Sequence, residues 1–232
     1  MMKSVCVTLM TLAAFTAPLM AEEDFTPIFD GKTLEGWDGD KKFWSVVDGA
    51  IQGETTKETP TKGNTFIIYR KSKPANFELK VDYRILSDKA NSGIQYRSEE
   101  VKPYVVKGYQ ADFESGPNYT GINYGEKTGR GILAQRGQKT WLGDGKKKNK
   151  VEKIGDKKEL QKKIKGKGEW NTYHIIAKGN HMIHKINGEV MSETIDESEK
   201  DAKSSGIIAL QVHSGPPMTL QFKNILLKNL SE

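Results

Sequence analysis

Cysteine is nearly missing from this chain. Its 232 residues hold one, Cys6, and that one falls in the leader described next, which leaves the remainder without a thiol. Disulfide staples, thiolate metal sites and a cysteine nucleophile are therefore excluded beyond residue 21. Long apolar runs are also scarce. The one candidate, Val5–Leu19, is too short for the ~20 residues that span a bilayer. It follows Lys3 and ends at Leu19-Met20-Ala21, before Glu22-Glu23-Asp24. This pattern predicts a secretory signal peptide over 1–21, cleaved after Ala21, and a mature domain over 22–232 that is exported to the periplasm or beyond, with no membrane insertion. The usual catalytic signatures are missing too: no G-x-S-x-G elbow, P-loop, HExxH or G-x-G-x-x-G after a strand. No repeat with a period of 20–50 residues suggests a solenoid or propeller. An excess of positive charge spread over the whole surface is lacking as well. The formal charge is +6, but residues 143–168 alone hold eleven lysines against four acids. The rest is near neutral, which argues against a nucleic-acid partner.

What is present is β pattern. Phe77–Leu86 alternates strictly, with Phe77, Leu79, Val81, Tyr83 and Ile85 on one face and charged residues between them. Asp48-Gly49 and Asn187-Gly188 have the chemistry of type I′ hairpin turns, and Lys178-Gly179-Asn180 joins two further strands. Asn91-Ser92-Gly93 reads as a turn, and Asn118–Gly131, rich in Gly, Asn and Tyr, reads as loop. In the lysine-rich segment Ile154, Leu160 and Ile164 have helical spacing behind a candidate N-cap, Asp156. About twelve short strands and one short helix predict an all-β, two-sheet antiparallel jelly-roll sandwich.

The stretch with most chemical content is Gly108–Ser115. Tyr109, Ala111 and Phe113 alternate with Gln110, Asp112 and Glu114. An amide and two carboxylates in a row repel or compete on an idle sheet face, so this strand is a candidate floor for a polar site. The same alternation turns Gln95 and Arg97 away from buried Ile94 and Tyr96, and Gln211 and His213 away from Leu210 and Val212. If these strands are neighbours, Gln, Arg, Asp, Glu and His share one surface of the kind that pairs with sugar hydroxyls. Trp37, Trp44, Trp141 and Trp170 are candidate stacking faces. Trp44 and Trp170, at strand starts, fit packing better, and Trp141 is the preferred rim residue. Asp112 and Glu114 would have Cα atoms roughly 6.5–7 Å apart, within the range of paired carboxylates at glycosidic bonds. His213 is either an acid–base group or a structural histidine. His181 and His184 would point to opposite faces of a strand, which argues against a zinc site.

Six blocks taken in order resemble one family: FDGKTLEGW (29–37), WSVVDGAIQGE (44–54), NSGIQYRS (91–98), GYQADF (108–113), EWNTYHIIAKGNHMIHKINGE (169–189) and GIIALQVHSGPPMTLQFKNILLK (206–228). They are similar to the DUF1080, or 3-keto-disaccharide hydrolase, domain family. The resemblance implies a concanavalin A-like jelly roll with a polar concave face, bacterial export and action on glycosides whose glucose C3 hydroxyl is oxidised to a ketone. It implies no cofactor; bound Ca²⁺ occurs in this architecture, but no loop here spells out its ligands. A C3 ketone acidifies the C2 proton, so one base, one acid and an oxyanion donor suffice. On this resemblance Asp112 or Glu114 is cast as base, His213 as acid, and Arg97 or Gln211 as donor, with Gln95, Gln110 and Trp141 binding the substrate. Gln110 and Asp112 stand where many members carry Glu and Gln. The rival reading is a non-catalytic, lectin-like module on the same sandwich.

Overall fold

The computed structural model describes residues 24–144 and 148–231. The expected signal peptide and its cleavage site lie outside the described residues. In chain order the strands are β1 (Thr26–Pro27), β2 (Trp37–Asp38), β3 (Trp44–Val47), β4 (Ala50–Thr55), β5 (Thr65–Tyr69), β6 (Phe77–Ile85), β7 (Asn91–Lys102), β8 (Val105–Glu114) and β9 (Asn123–Glu126). They continue with β10 (Gly131–Ala134), β11 (Gln138–Leu142), β12 (Lys148–Lys153), β13 (Asn171–Lys178), β14 (His181–Ile186), β15 (Glu189–Asp196), β16 (Ile207–Val212) and β17 (Met218–Asn229); one helix, α1 (Lys157–Gln161), precedes β13. Ten strands form one sheet, in the order β12-β11-β15-β14-β13-β6-β17-β4-β3 with β1 added on β17; seven form the other, β10-β9-β8-β7-β16-β5-β2. Neighbours are antiparallel except β11 and β15. This is the expected two-sheet sandwich.

The alternating sequences explain the layers. β6 buries every second residue along its whole length, and its inward row meets Tyr173 and Ile175 of β13, Leu220 and Phe222 of β17, and the inward faces of β7, β8 and β16. Each large apolar side chain removed from water contributes roughly 1.5–3 kcal/mol, which is how a fold without disulfides is held. Asp48 and Asn187 take positive φ before Gly49 and Gly188, the geometry that matches strand twist in tight hairpins. Asp156 caps α1 by accepting from the backbone N–H of Lys158 and Glu159, as the sequence led one to expect.

Two expectations fail for one reason. Asn91–Gly93 is not a turn but the start of β7, and Asn118–Gly131 is not all loop, since it contains β9. Gly and Asn weaken local strand preference, and the ladder on β8 overrides it. Short pieces such as β1 and β2 raise the number of strands to seventeen among the described residues.

A second, smaller core lies on the outer face of the seven-stranded sheet. The tip of the β7–β8 hairpin folds back across that face, so that Phe66 N–H donates to Tyr104 O at 3.1 Å. Val106 then packs with Phe66, Ile68, Ile207 and Ala209. The tip covers one part of the face, and the polar row lies beside it.

Candidate functional site

The strand register assembles the polar row. Gln95 lies opposite Gln110, Gly93 opposite Asp112 and Asn91 opposite Glu114 across β7 and β8. Ala209 pairs with Gln95, which brings Gln211 alongside from β16. Gln95, Gln110, Asp112 and Gln211 thus meet on one face, as the alternation predicted. Their hydrogen bonds form a directed chain. Ser98 Oγ donates to Gln95 Oε1 at 2.7 Å. Gln95 Nε2 and Gln211 Nε2 both donate to Gln110 Oε1, at 2.5 and 2.9 Å. Gln110 Nε2 in turn donates to Asp112 Oδ1 at 2.5 Å. The network ends on the Asp112 carboxyl, whose Oδ1 is its last acceptor. One atom is left over: Gln211 Oε1 is buried without a partner. Such a group costs about 1–3 kcal/mol unless a ligand satisfies it.

Gly93 makes the floor possible. A Cβ there would lie 2.5 Å from Gln110 Cγ and 2.6 Å from Cδ. We expect Gly93→Ala to displace Gln110 and cost about 1–3 kcal/mol as overpacking. Urea denaturation measures this, and an unchanged midpoint would contradict the packing.

The carboxylates are not equivalent. Asp112 is 6 % exposed. Burial pushes its carboxyl well above the usual range; the Gln110 amide opposes that, and the charges of Glu126 and Glu114 add to it. Glu126, on β9, is also raised, again first by burial, with the Asn64 amide and the charges of Lys127 and His213 pulling the other way. Tyr124, opposite Gln110 on the same face, is raised by burial and then by Glu126 and Asp112. Asn64 Nδ2 reaches Glu126 Oε1 at 3.3 Å, while Asn64 Oδ1 accepts from Ser214 N–H at 3.0 Å, next to His213. Glu126 thus lies within electrostatic reach of Asp112, Tyr124 and His213, and Asn64 bridges it to Ser214.

Several expected site residues sit elsewhere. Arg97 does not share a face with Gln95. β7 bulges after Tyr96, Arg97 takes φ 45°, and its side chain swings to the end of the sandwich. There it is buried and donates to Ala75 O at 2.6 Å and Gly179 O at 2.7 Å. Gly206 permits the bulge, since any Cβ there would collide with the backbone of Arg97 and Ser98. Strict alternation cannot reveal a bulge, because one extra residue reverses the faces. Arg97 is a clamp, not an oxyanion donor on the polar face. Trp141 is also misplaced: it belongs to β11 in the other sheet, where Lys150 and Lys139 sit over its ring at 4.3 and 5.3 Å. Trp37 is buried against Tyr69 with its Nε1 donating to Ile28 O, Trp44 is buried, and Trp170 is flanked by Arg84 and Lys223. None of the four offers a stacking face at the site.

Glu114 lies at the rim, where its Oε1 accepts from the N–H groups of Asn118 and Tyr119 at 2.8 and 2.9 Å. That bond shapes the loop after β8 and engages Glu114 Oε1 with backbone. His213 stands across a ≈ 390 Å³ groove that Glu114 also lines, and its Nδ1 contacts Ser214 O at 2.5 Å. His184 is structural: buried between Tyr96 and Tyr173, it is held neutral, its pKa lowered to about 3 by burial. Among the described residues no group of three or more His, Cys, Asp or Glu is placed to hold a metal ion. Sequence reading missed Tyr124 and Glu126. The period-2 pair in Asn123–Glu126 was their signal, obscured by the glycines around it.

The family profile of 3-keto-alpha-glucoside-1,2-lyase-like domains matches residues 24–228. No curated protein matches the chain. Among solved structures, a candidate glycosyl hydrolase from Parabacteroides distasonis is 23 % identical with a TM-score of 0.59, over 90 % of this chain and 95 % of that one. The carbohydrate-binding module CBM66 from Bacillus subtilis is 15 % identical, TM-score 0.55, over 84 % and 96 %. The endo-β-1,3(4)-glucanase SCLam is 11 % identical, TM-score 0.51, over 90 % and 92 %. At these identities the likeness is one of fold.

Proposed function

The chain belongs to the family of 3-keto-alpha-glucoside-1,2-lyase-like domains, and on that premise we propose that it cleaves 3-keto glycosides by acid–base elimination on the outer face of its seven-stranded sheet. The observation that carries this reading is the convergence of two carboxyls with raised pKa, Asp112 and Glu126, beside His213 and over an amide floor. Neighbouring carboxyls whose environments differ divide the acid and base roles between them. Asp112, the more buried, keeps its proton and is the acid. Glu126, which His213 and Lys127 pull back toward ionisation, is the base and takes the place expected of Asp112 or Glu114.

Glu126 removes the C2 proton and the electrons pass into a C2–C3 enolate; as the enolate collapses back to the C3 ketone, the C1–C2 double bond forms and the C1–O bond breaks, with Asp112 protonating the leaving oxygen. Tyr124 donates to the oxygen of the enolate that develops at C3. Addition of water across the double bond, hydroxyl to C1 and proton to C2, completes a net hydrolysis. Gln211 Oε1 accepts from a sugar hydroxyl, and His213 favours the charged form of Glu126. No metal or organic cofactor enters this scheme. Residues 22–232 act as one exported module in this reading; among the described residues no helix is long and apolar enough to cross a membrane.

The test is turnover of methyl 3-keto-α-glucoside beside methyl α-glucoside. Release of methanol from the keto sugar alone supports elimination, whereas release from the parent would show ordinary glycosidase chemistry. Gln211→Leu should raise KM for the keto sugar about tenfold, the loss of roughly one hydrogen bond to a buried partner. The directed amide floor also favours a second reading, a sugar-binding module without chemistry. Binding of both sugars with turnover of neither would establish it.

A further inference from the structure

The four tryptophans leave the polar face without a stacking surface, yet one aromatic side chain stands free beside it. Among the described residues the large hydrophobic side chains left exposed are Val101, Tyr119 and Val151, and Tyr119, at 44 %, is the aromatic one. A lone exposed tyrosine needs no explanation. The way this one is mounted does.

The loop after β8 carries Tyr119 and is fastened from two sides. Glu114 Oε1 accepts from the N–H groups of Asn118 and Tyr119 at 2.8 and 2.9 Å. Arg136, 3 % exposed, directs its guanidinium at the same loop: Nη2 donates to Pro117 O at 2.7 Å, and Nη1 donates to Thr120 O. Thr120 is buried, and its Oγ1 accepts from Glu114 N–H at 3.0 Å. Burying a guanidinium costs free energy unless its N–H groups are paired, and here the pairing fixes the shape of the loop. The backbone on each side of Tyr119 is held while its side chain is left in solvent.

The loop also lies against the site. Gly121 N–H donates to Asp112 O at 2.9 Å, and Asp112 N–H donates to Ile122 O at 3.3 Å. Tyr119 therefore stands two residues from a backbone partner of Asp112. At the other end of the loop, Ser115 and Gly116 line the groove that His213 also lines. The phenol of Tyr119 is near enough to that of Tyr124 for its charge to act on it.

A sugar ring presents C–H groups on its faces, polarised by the oxygens around its edge, and the negative face of an aromatic ring attracts them. Tyrosine suits such a contact in water, because its ring is rigid and its hydroxyl stays hydrated. A platform already in position loses little conformational entropy when a ligand arrives.

We infer that Tyr119 is the stacking platform of the polar face, packing its ring against the C–H face of a bound sugar, and that Glu114 and Arg136 are positioning residues that hold it there. The inference rests on the reading of that face as a sugar site, and it applies whether the sugar is cleaved or only bound. It also gives Glu114 a role that the proton-transfer scheme leaves open.

The experiment is titration calorimetry with methyl 3-keto-α-glucoside on Asp112→Asn protein, in which the glycosidic bond survives. Adding Tyr119→Ala should weaken binding about five- to tenfold, near the upper worth of an aromatic contact, whereas Tyr119→Phe and Tyr119→Trp should stay within about twofold of the parent. Adding Glu114→Ala should weaken binding about threefold by freeing the loop, and Glu114→Gln, which keeps an acceptor oxygen, should not. Glu114→Ala together with Tyr119→Ala should be no weaker than Tyr119→Ala, because Glu114 acts through the ring it places. The melting temperature of Tyr119→Ala should match the parent, since the side chain is exposed, so a lost affinity is not a lost fold. Affinity of Tyr119→Ala within about twofold of the parent, or Tyr119→Trp as weak as Tyr119→Ala, would overturn the platform. Additive losses in the double variant would overturn the positioning role of Glu114. Failure of the polar-face reading looks different: protein with Tyr119 intact binds neither this ligand nor methyl α-glucoside, and the platform falls with it.

Discussion

Asp112→Asn lowers kcat on a 3-keto glycoside by about 10²–10⁴-fold, the usual contribution of a positioned proton donor, and leaves the protein folded. The asparagine retains an oxygen for Gln110 Nε2, which now bonds Asp112 Oδ1, so the floor keeps its shape and only the transferable proton is lost. Stability moves the other way. The folded-state pKa of Asp112 is raised above its unfolded value. Its contribution is therefore fully present below the unfolded pKa, about 3.9, and is lost as pH rises through the folded value. The neutral asparagine escapes that loss, so the variant should gain on the wild type between pH 5 and pH 8 in parallel urea titrations. Activity of the wild type should fall at high pH, as Asp112 gives up its proton, and at low pH, as Glu126 gains one. A variant within threefold of wild-type kcat would remove Asp112 from the chemistry, and one that unfolds would remove it from the acid role in favour of a structural one.

Asp196→Ala should cost about 3–5 kcal/mol, the expected effect of stripping one partner from a buried ion pair. Asp196 accepts from Arg130 Nη1 at 2.6 Å and Nη2 at 3.0 Å, and from Tyr109 Oη at 2.6 Å. The Arg130 and Asp196 side chains are 5 % and 1 % exposed. The substitution strands a guanidinium and a phenol at the junction of β8, β9 and β15. Against a total stability of roughly 5–15 kcal/mol this is a large share. The comparison that isolates the cause is the double variant Asp196→Leu with Arg130→Met. It removes both charges, so it should be less destabilised than Asp196→Ala alone. A single-variant loss under about 1 kcal/mol would mean that water, not the protein, already solvates the pair.

The two residues differ in how visible they were. Asp112 stands out in the sequence because it interrupts an aromatic strand with a polar period of two, and that period survives folding wherever a strand is regular. Gln95, Gln110 and Gln211 follow from the same rule. Asp196 ends a strand among acidic and lysine residues, where no local pattern separates a buried carboxylate from a solvated one. Arg97 shows how the rule breaks: a bulge opposite Gly206 reverses its face, and only the neighbouring strand determines that the bulge forms. Glu126 and Tyr124 sit in a glycine-rich stretch whose strand character comes from β8. Trp141 has a good stacking side chain and the wrong sheet.

The sequence alone therefore determined the all-β class, the hairpins at Asp48-Gly49 and Asn187-Gly188, the capped helix behind Asp156, the family and the amide-and-carboxylate strand. All of these depend on periodicity and turn chemistry within a few residues. The tertiary structure decided which strands are neighbours, and so which carboxyl meets Asp112, which arginine is a clamp and which atoms are left unpaired. Pairing, register slips and burial are set by contacts between segments far apart in the chain, and no local pattern encodes them.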